Sequence, residues 1–258
     1  MLGLFLAYKV GRLVVDGRVS AAFADADLIW DIERALRLPH EASVQHVLLS
    51  AEALVRAANV FYAVVHFPAS IAFLVFMYWF RPEHYIRFRR ILAWLTGIGL
   101  VIHFAFPLAP PRMLDSLDLI DTAAVYGPSV YGPPQTDTLS NQYAAMPSLH
   151  VGWALVIAAG LIHATRSRWR WLWLAHPVVT MLVVAGTANH YWLDGVVAAV
   201  LVGVLLMATS RQEHPSPSVP VQVRRAGTGT DGPREAVTNP ALNPAFNPAE
   251  AGVEVAKP

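Results

Sequence analysis

Apolar residues along the chain gather into runs separated by short polar breaks, and five of these runs cover residues 60–80, 91–108, 148–164, 171–188 and 191–209. Each meets or approaches the ~20 residues that an α-helix needs to cross the hydrocarbon core of a bilayer. The pattern predicts an all-α fold, a polytopic membrane bundle of about six transmembrane helices. The sixth span is the N-terminal run 1–15, which is short and carries Lys9 and Arg12; it fits a tilted or truncated span, or an interfacial segment. Between residues 15 and 59 lies a mixed stretch with Asp16, Asp25, Asp27, Asp31 and Glu33, and residues 44–58 show the helical recurrence of an amphipathic interfacial helix. A long connection rich in Pro, Gly, Asp and Tyr occupies 109–146, the length at which loops are usually functional or disordered. The division that follows is a membrane-embedded domain over 1–210 and a disordered Pro/Ser/Gly-rich cytoplasmic tail over 211–258, whose near-repeat NPALNPAFNPAE has too little apolar surface to build a core.

Composition agrees with the pattern: of 258 residues, 55% are hydrophobic and only 14% charged, which makes the bilayer the natural solvent. A net charge of +1 gives no nucleic-acid footprint, so nucleic acid is not an expected partner. The absence of cysteine excludes disulfides, thiolate metal sites and a cysteine nucleophile. The run before Lys9 lacks a basic leader and a small-residue cleavage site, so no cleaved signal peptide is expected. Arg81, Arg87, Arg89 and Arg90 fall in one short loop of this map and Arg166, Arg168 and Arg170 in another; the positive-inside rule makes both cytoplasmic. Lys9, Arg12 and Arg18 sit against that orientation. With alternating helices, loop 109–146, the start of the fourth span and the junction at His190 then share the extracytoplasmic face of a plasma-membrane protein.

Those three segments carry the candidate chemistry. In NHYWLDG, His190 and Asp194 are four apart at a helix start and face the same way, so the carboxylate can hold one ring nitrogen and leave the other as nucleophile or base. A simple polar pair at a helix start accounts for the same spacing. In AAMPSLH, Pro147 and Ser148 mark a helix start with His150 in its first turn. Free N–H groups there suit a phosphate, Ser148 can donate to it, and His150 can protonate a leaving oxygen; ordinary capping is the alternative. In PLAPPRM, two prolines stiffen the chain and deliver Arg112, either to phosphate or, snorkelling, to lipid headgroups. Asn59, Tyr62 and His66 recur at spacings of three and four on one helix face, where they line a substrate cleft or bond between helices. His66 and His103 both lie inside predicted spans, where an ionisable group is a functional candidate. Trp169, Trp171 and Trp173 read as an interfacial belt.

In order and key atoms these segments resemble the type 2 phosphatidic acid phosphatase superfamily, whose signature is Lys-x6-Arg-Pro, then Pro-Ser-Gly-His, then Ser-Arg-x5-His-x3-Asp. Here Pro147-Ser148-Leu149-His150 carries leucine for glycine, and His190 and Asp194 keep the His-x3-Asp pair about 40 residues later. APPRM, MPSLHVGWA, NHYWLDG and NVFYAVVHF look closest to the inositol phosphorylceramide synthase-like branch, and the resemblance covers roughly residues 10–207. It implies a metal-independent enzyme without cofactor: His190 resembles the nucleophile that becomes a phosphohistidine, Asp194 the residue that orients it, and His150 the general acid. Two departures matter. The family's Ser-Arg falls on Val183 and Val184, and Ala105 stands where the lysine before Arg112 would be. Fewer cations speak against a plain soluble-phosphate phosphatase and suggest a phosphodiester donor, or phosphate charge balanced mainly by Arg112, helix termini and the histidines themselves.

The expected activity is therefore a membrane lipid phosphotransferase that moves a phospho-headgroup such as inositol phosphate, with membrane lipids as substrates. Its catalytic residues are His150, His190 and Asp194, and its substrate-binding residues Arg112, Ser148, Asn59 and Tyr62. The alternative is a lipid phosphate phosphatase using the same triad. A zinc site built from His150, His190 and Asp194 is a further possibility, and so is a noncatalytic transporter or scaffold, for which no internal repeat speaks. Oligomeric state is not encoded in any pattern found.

Overall fold

The structure, a computed structural model, describes residues 19–128 and 142–210; the predicted span over 1–15, part of the long connection and the tail over 211–258 lie outside these. Regular structure among the described residues is helical, apart from one isolated parallel bridge between Leu108 and Ala144. We number the α-helices α1 (Val19–Ala35), α2 (Glu41–Leu49), α3 (Glu52–Phe80), α4 (Pro82–Ala105), α5 (Thr122–Tyr126), α6 (Leu149–Ala164), α7 (Ala175–Gly186) and α8 (Trp192–Ser210). Short 3₁₀ turns occupy Pro111–Met113, Asp115–Leu117 and Arg168–Leu174. By length and apolar composition α3, α4 and α8 can cross a membrane, and α6 is a shorter apolar helix. Together they form an all-α membrane bundle.

Helix α6 is its centre, packed against α4, α7, α8 and the second half of α3. It is apolar all round, as a helix with neighbours on every side must be. Phe73 and Met77 of α3, Phe88, Ile91 and Leu95 of α4 and Val156 of α6 form the main core. Gly160 permits the close approach of α3, since a Cβ there would lie 2.5 Å from the Phe73 ring. Large apolar side chains point outward elsewhere, among them Phe67, Ile71 and Trp79 on α3, Trp94 and Val101 on α4 and Val200 and Met207 on α8. So much exposed apolar surface fits lipid, not water. Trp169, Trp171 and Trp173 are likewise exposed beside the arginines of their 3₁₀ turn.

Three sequence expectations change. Residues 44–58 are not one interfacial helix: the chain breaks where Ser50 Oγ donates to Val47 O (2.7 Å) and Ala51 turns extended (φ −147°, ψ 127°). The helix that restarts at Glu52 runs on into the span as α3. The run 171–188 is likewise divided, its first part forming the 3₁₀ turn that ends at Leu174 before α7 begins. Finally, the basic loop shrinks to Arg81, because Pro82 occupies the first turn of α4 and Arg87, Arg89 and Arg90 already lie on that helix. Arg81 Nε donates to Ala164 O at the end of α6 (3.0 Å), and Arg87 Nη2 to Leu206 O near the end of α8 (3.2 Å). The arginines thus gather where α6 and α8 finish, and the first turns of those helices lie at the other end of the bundle.

Candidate active site

Helices α6 and α8 begin side by side. The Ser148 N–H donates to Asp194 O (3.1 Å), fixing one helix start to the other, and the loop before α6 is tied back by Leu108 N–H to Tyr143 O (2.8 Å). His103 of α4, buried, holds the same turn through its Nε2 on Pro147 O (3.0 Å). Ser148 is the N-cap of α6: its Oγ accepts from Val151 N–H (3.4 Å), and the side chain is fully buried.

His190 lies just before α8, in the loop that follows α7. Its Nδ1 is 2.8 Å from Ala145 O and 3.1 Å from Asp194 Oδ2. A carbonyl oxygen only accepts, so Nδ1 carries the proton and Nε2 is left with its lone pair. Asp194 Oδ2 also accepts from Tyr191 N–H (2.9 Å), the reach-back of a third-position carboxylate to the residue capping its own helix. The imidazole is therefore held by a backbone carbonyl as well as by the carboxylate. The carbonyl belongs to a residue 45 positions away, a partner that no local spacing reveals.

His150 faces this pair across a ring-centroid distance of 5.9 Å. Its other side is built from α3. A π-helical turn over Phe61–Val65 precedes His66, widening the helix so that Tyr62 and His66 both reach His150. Tyr62 stacks on the His150 ring at 4.4 Å, and His66 lies at 4.4 Å from it while stacking on Trp153 at 4.5 Å. Trp153 is itself fixed by Nε1–H donation to Thr96 Oγ1 (3.0 Å). Asn59, one turn earlier, does not join them. Its amide donates to Thr122 O (2.9 Å) and Gly127 O (3.0 Å), and its oxygen accepts from Thr122 Oγ1 (2.8 Å), so it pins α5.

Arg112 comes to the site on the Pro111–Met113 turn. Its N–H donates to Ala188 O (3.0 Å), Nη1 donates to Asn189 Oδ1 (2.6 Å), and Nε is 3.4 Å from Asp121 Oδ2. The guanidinium is thereby aligned beside the residue preceding His190. Val183 and Val184, where a second arginine would stand, are buried and apolar. Among the described residues no group of three or more histidine and carboxylate side chains converges as metal ligands.

Glu33 and Glu41 were given no role by sequence spacing, yet both are fully buried behind α8. Glu33 Oε1 accepts from Leu193 N–H in the first turn of α8 (2.7 Å), and Arg34 stands 3.5 Å from Glu33 and 3.6 Å from Glu41. Burial, with Glu41 and Asp194 nearby, raises the Glu33 carboxyl to about 8. A carboxylate inside an acidic, amphipathic stretch reads as solvated until the fold shows which helix end it meets.

Comparison with known proteins bears on the whole arrangement. Residues 27–208 match the family described as the PAP2 superfamily. The catalytic subunit of inositol phosphorylceramide synthase from Schizosaccharomyces pombe is 28% identical over 153 residues, which cover 52% of this chain and 35% of that protein. The chain thus spans about a third of the length of that curated relative. No solved structure matches it significantly.

Proposed function

The chain belongs to the PAP2 superfamily, and from that premise we propose that it is an integral membrane phosphotransferase that moves a phospho-headgroup between lipid alcohols through a phosphohistidine on His190. The observation that carries this reading is the double hold on His190 Nδ1, by Ala145 O at 2.8 Å and Asp194 Oδ2 at 3.1 Å, which leaves Nε2 as a nucleophile opposite His150. In the first half-reaction Nε2 attacks phosphorus, the bond to the lipid oxygen breaks, and His150, entering the step as an imidazolium, gives that oxygen its proton and becomes neutral. In the second, the neutral His150 takes the proton of an incoming alcohol, whose oxygen attacks phosphorus and frees His190. Arg112 and the first turn of α6 offset charge on the phosphoryl oxygens. No metal is needed for these steps, and chelators are expected to leave the rate unchanged.

A phosphodiester donor such as phosphatidylinositol is favoured because one arginine serves the site and Val183 and Val184 stand where another would. The relative named for inositol phosphorylceramide synthesis supports the same headgroup. We place the site on the extracytoplasmic side of the plasma membrane, since Arg81 and Arg87 lie at the opposite ends of α6 and α8. Purified protein given phosphatidylinositol labelled in its headgroup, with and without acceptor lipid, tests the proposal. Transfer to the acceptor, lost in His190→Ala, is the expected result. Release of inositol phosphate at an undiminished rate without acceptor would make the enzyme a hydrolase, and full activity in His190→Ala would end the phosphohistidine reading.

A further inference from the structure

The connection that brings Arg112 to the site also brings it a carboxylate. From residue 113 to residue 128 the chain holds Asp115, Asp118 and Asp121 and no lysine or arginine. Asp121 Oδ2 lies 3.4 Å from Arg112 Nε, while its Oδ1 accepts from Ala124 N–H (3.0 Å) as the N-cap of α5. The residues on either side of it are each gripped by a buried amide. Gln45 of α2 binds Ile120 in both directions, Nε2 donating to Ile120 O (2.9 Å) and Oε1 accepting from Ile120 N–H (2.9 Å), and its Nε2 also reaches Gly186 O at the end of α7 (3.3 Å). Asn59 of α3 binds Thr122 in both directions in the same way. Both amides are buried, so breaking these bonds would leave polar groups unpaired away from water. With its neighbours and its own cap fixed, the Asp121 carboxylate is held in place against Arg112.

That carboxylate is not required to aim the arginine, because Arg112 is already aligned by Asn189 Oδ1 (2.6 Å) and by its own N–H on Ala188 O (3.0 Å). What Asp121 adds is charge. We propose that Asp121 is a specificity-determining residue, a fixed negative charge beside the phosphate-binding guanidinium that admits a singly charged phosphodiester and disfavours a doubly charged phosphomonoester. The proposal rests on the reading of Arg112 and His190 as a phosphoryl-transfer site. Above a second pKa of about 6, a monoester carries about two negative charges where a diester carries one. Both are drawn to Arg112, but the monoester sets an additional charge against Asp121, and the buried Val183 and Val184 supply no cation to offset it. Placing an unfavourable charge against the wrong ligand is a general route to discrimination. The side chain of Arg112 is 4% exposed and that of Asp121 39%, so solvent screens the carboxylate in part and the barrier it sets is modest.

Phosphatidic acid and phosphatidylmethanol release the same diacylglycerol and differ by one methyl group and one charge. Both would be given in mixed micelles to the full chain as wild type, Asp121→Asn and Asp121→Glu, at about pH 8.5, where the monoester is doubly charged. Asn keeps an oxygen that can cap α5, and Glu keeps the charge. The ratio of kcat/KM for phosphatidic acid to that for phosphatidylmethanol, read as diacylglycerol formed, should rise about tenfold in Asp121→Asn and stay within about threefold of wild type in Asp121→Glu. A purely structural role predicts equal losses with both lipids; that result, or an unchanged ratio in Asp121→Asn, overturns the proposal. Equilibrium binding of the two lipids to His190→Ala, with and without Asp121→Asn, decides the matter if neither lipid is turned over: the affinity ratio should shift by the same factor, and an unshifted ratio counts against Asp121. Absence of an acid-labile phosphoryl adduct on His190 in wild type, with the binding ratio still shifted, would remove the phosphohistidine mechanism and leave the charge selection standing, so the two failures are distinguishable.

Discussion

Replacing Asp194 by Asn separates the two holds on His190. When Nε2 bonds to phosphorus the ring becomes cationic, with its Nδ1 proton 3.1 Å from a buried carboxylate oxygen. At an effective dielectric constant of ~20, unit charges at that distance attract by about 5 kcal/mol. Roughly half of the charge develops in the transition state, so Asp194→Asn should lose about 2.5–3 kcal/mol, or about a hundredfold in rate. A carboxylate that alone sets the tautomer costs more when changed to the amide, about 10⁴-fold, because the ring flips its proton. Here the Ala145 carbonyl, at 2.8 Å, keeps the proton on Nδ1 in the variant. Headgroup transfer from labelled phosphatidylinositol would be followed in wild type, Asp194→Asn and His190→Ala at saturating donor. An Asn variant as inactive as His190→Ala would show that Ala145 does not preserve the tautomer, and one within threefold of wild type would remove Asp194 from catalysis altogether.

Other expectations follow from single contacts. Arg112→Lys keeps the charge but not the fork that meets Asn189 and faces Asp121, and should lower kcat/KM by about 30- to 100-fold; an unchanged value would take Arg112 out of the site. Glu33 holds its proton to about pH 8 when folded but only to about 4.5 when unfolded, so the unfolded chain binds fewer protons between those values. Stability in detergent should therefore fall as pH rises from about 4.5 through 8, while Glu33→Gln, which can still accept from Leu193 N–H, flattens that slope in thermal unfolding; parallel profiles would refute it. Gly160→Ala puts a methyl against the Phe73 ring and the Met77 tip and should destabilise by about 1–3 kcal/mol, seen as a lower melting temperature. Gly195→Ala meets chiefly the movable Met181 thioether and should shift melting much less.

The parts of the site that could be read from the sequence are those built on short intervals. His190 and Asp194 are a one-turn pair, and Pro147-Ser148 before His150 is a capping signal, so their helix starts were visible as residue types at set spacings. The family resemblance raised these from ordinary capping to chemistry, and the match over residues 27–208 bears out the resemblance. What stayed hidden depends on chain segments meeting in space. Ala145 contributes a carbonyl, which every residue type possesses. Asn189 is noticeable only once Arg112 lies against it, and Glu33 reaches Leu193 across 160 positions. Asn59 shares a helical face with Tyr62 by count, but the π-turn that starts at Phe61 sends the two side chains to different neighbours. The break at Ser50 was masked because the apolar spacing continues through it.

The tie from Glu33 to Leu193 also bears on how such a protein comes into being. During synthesis the segment around Glu33 emerges long before residue 193, so its carboxylate has no helix end to cap and remains ionised in water. Only when the last helix enters the bundle can Glu33 be buried, take up its proton and fix the start of α8. The contact between Glu33 and the start of α8, next to the loop that carries His190, is therefore one that forms only after both segments are in place.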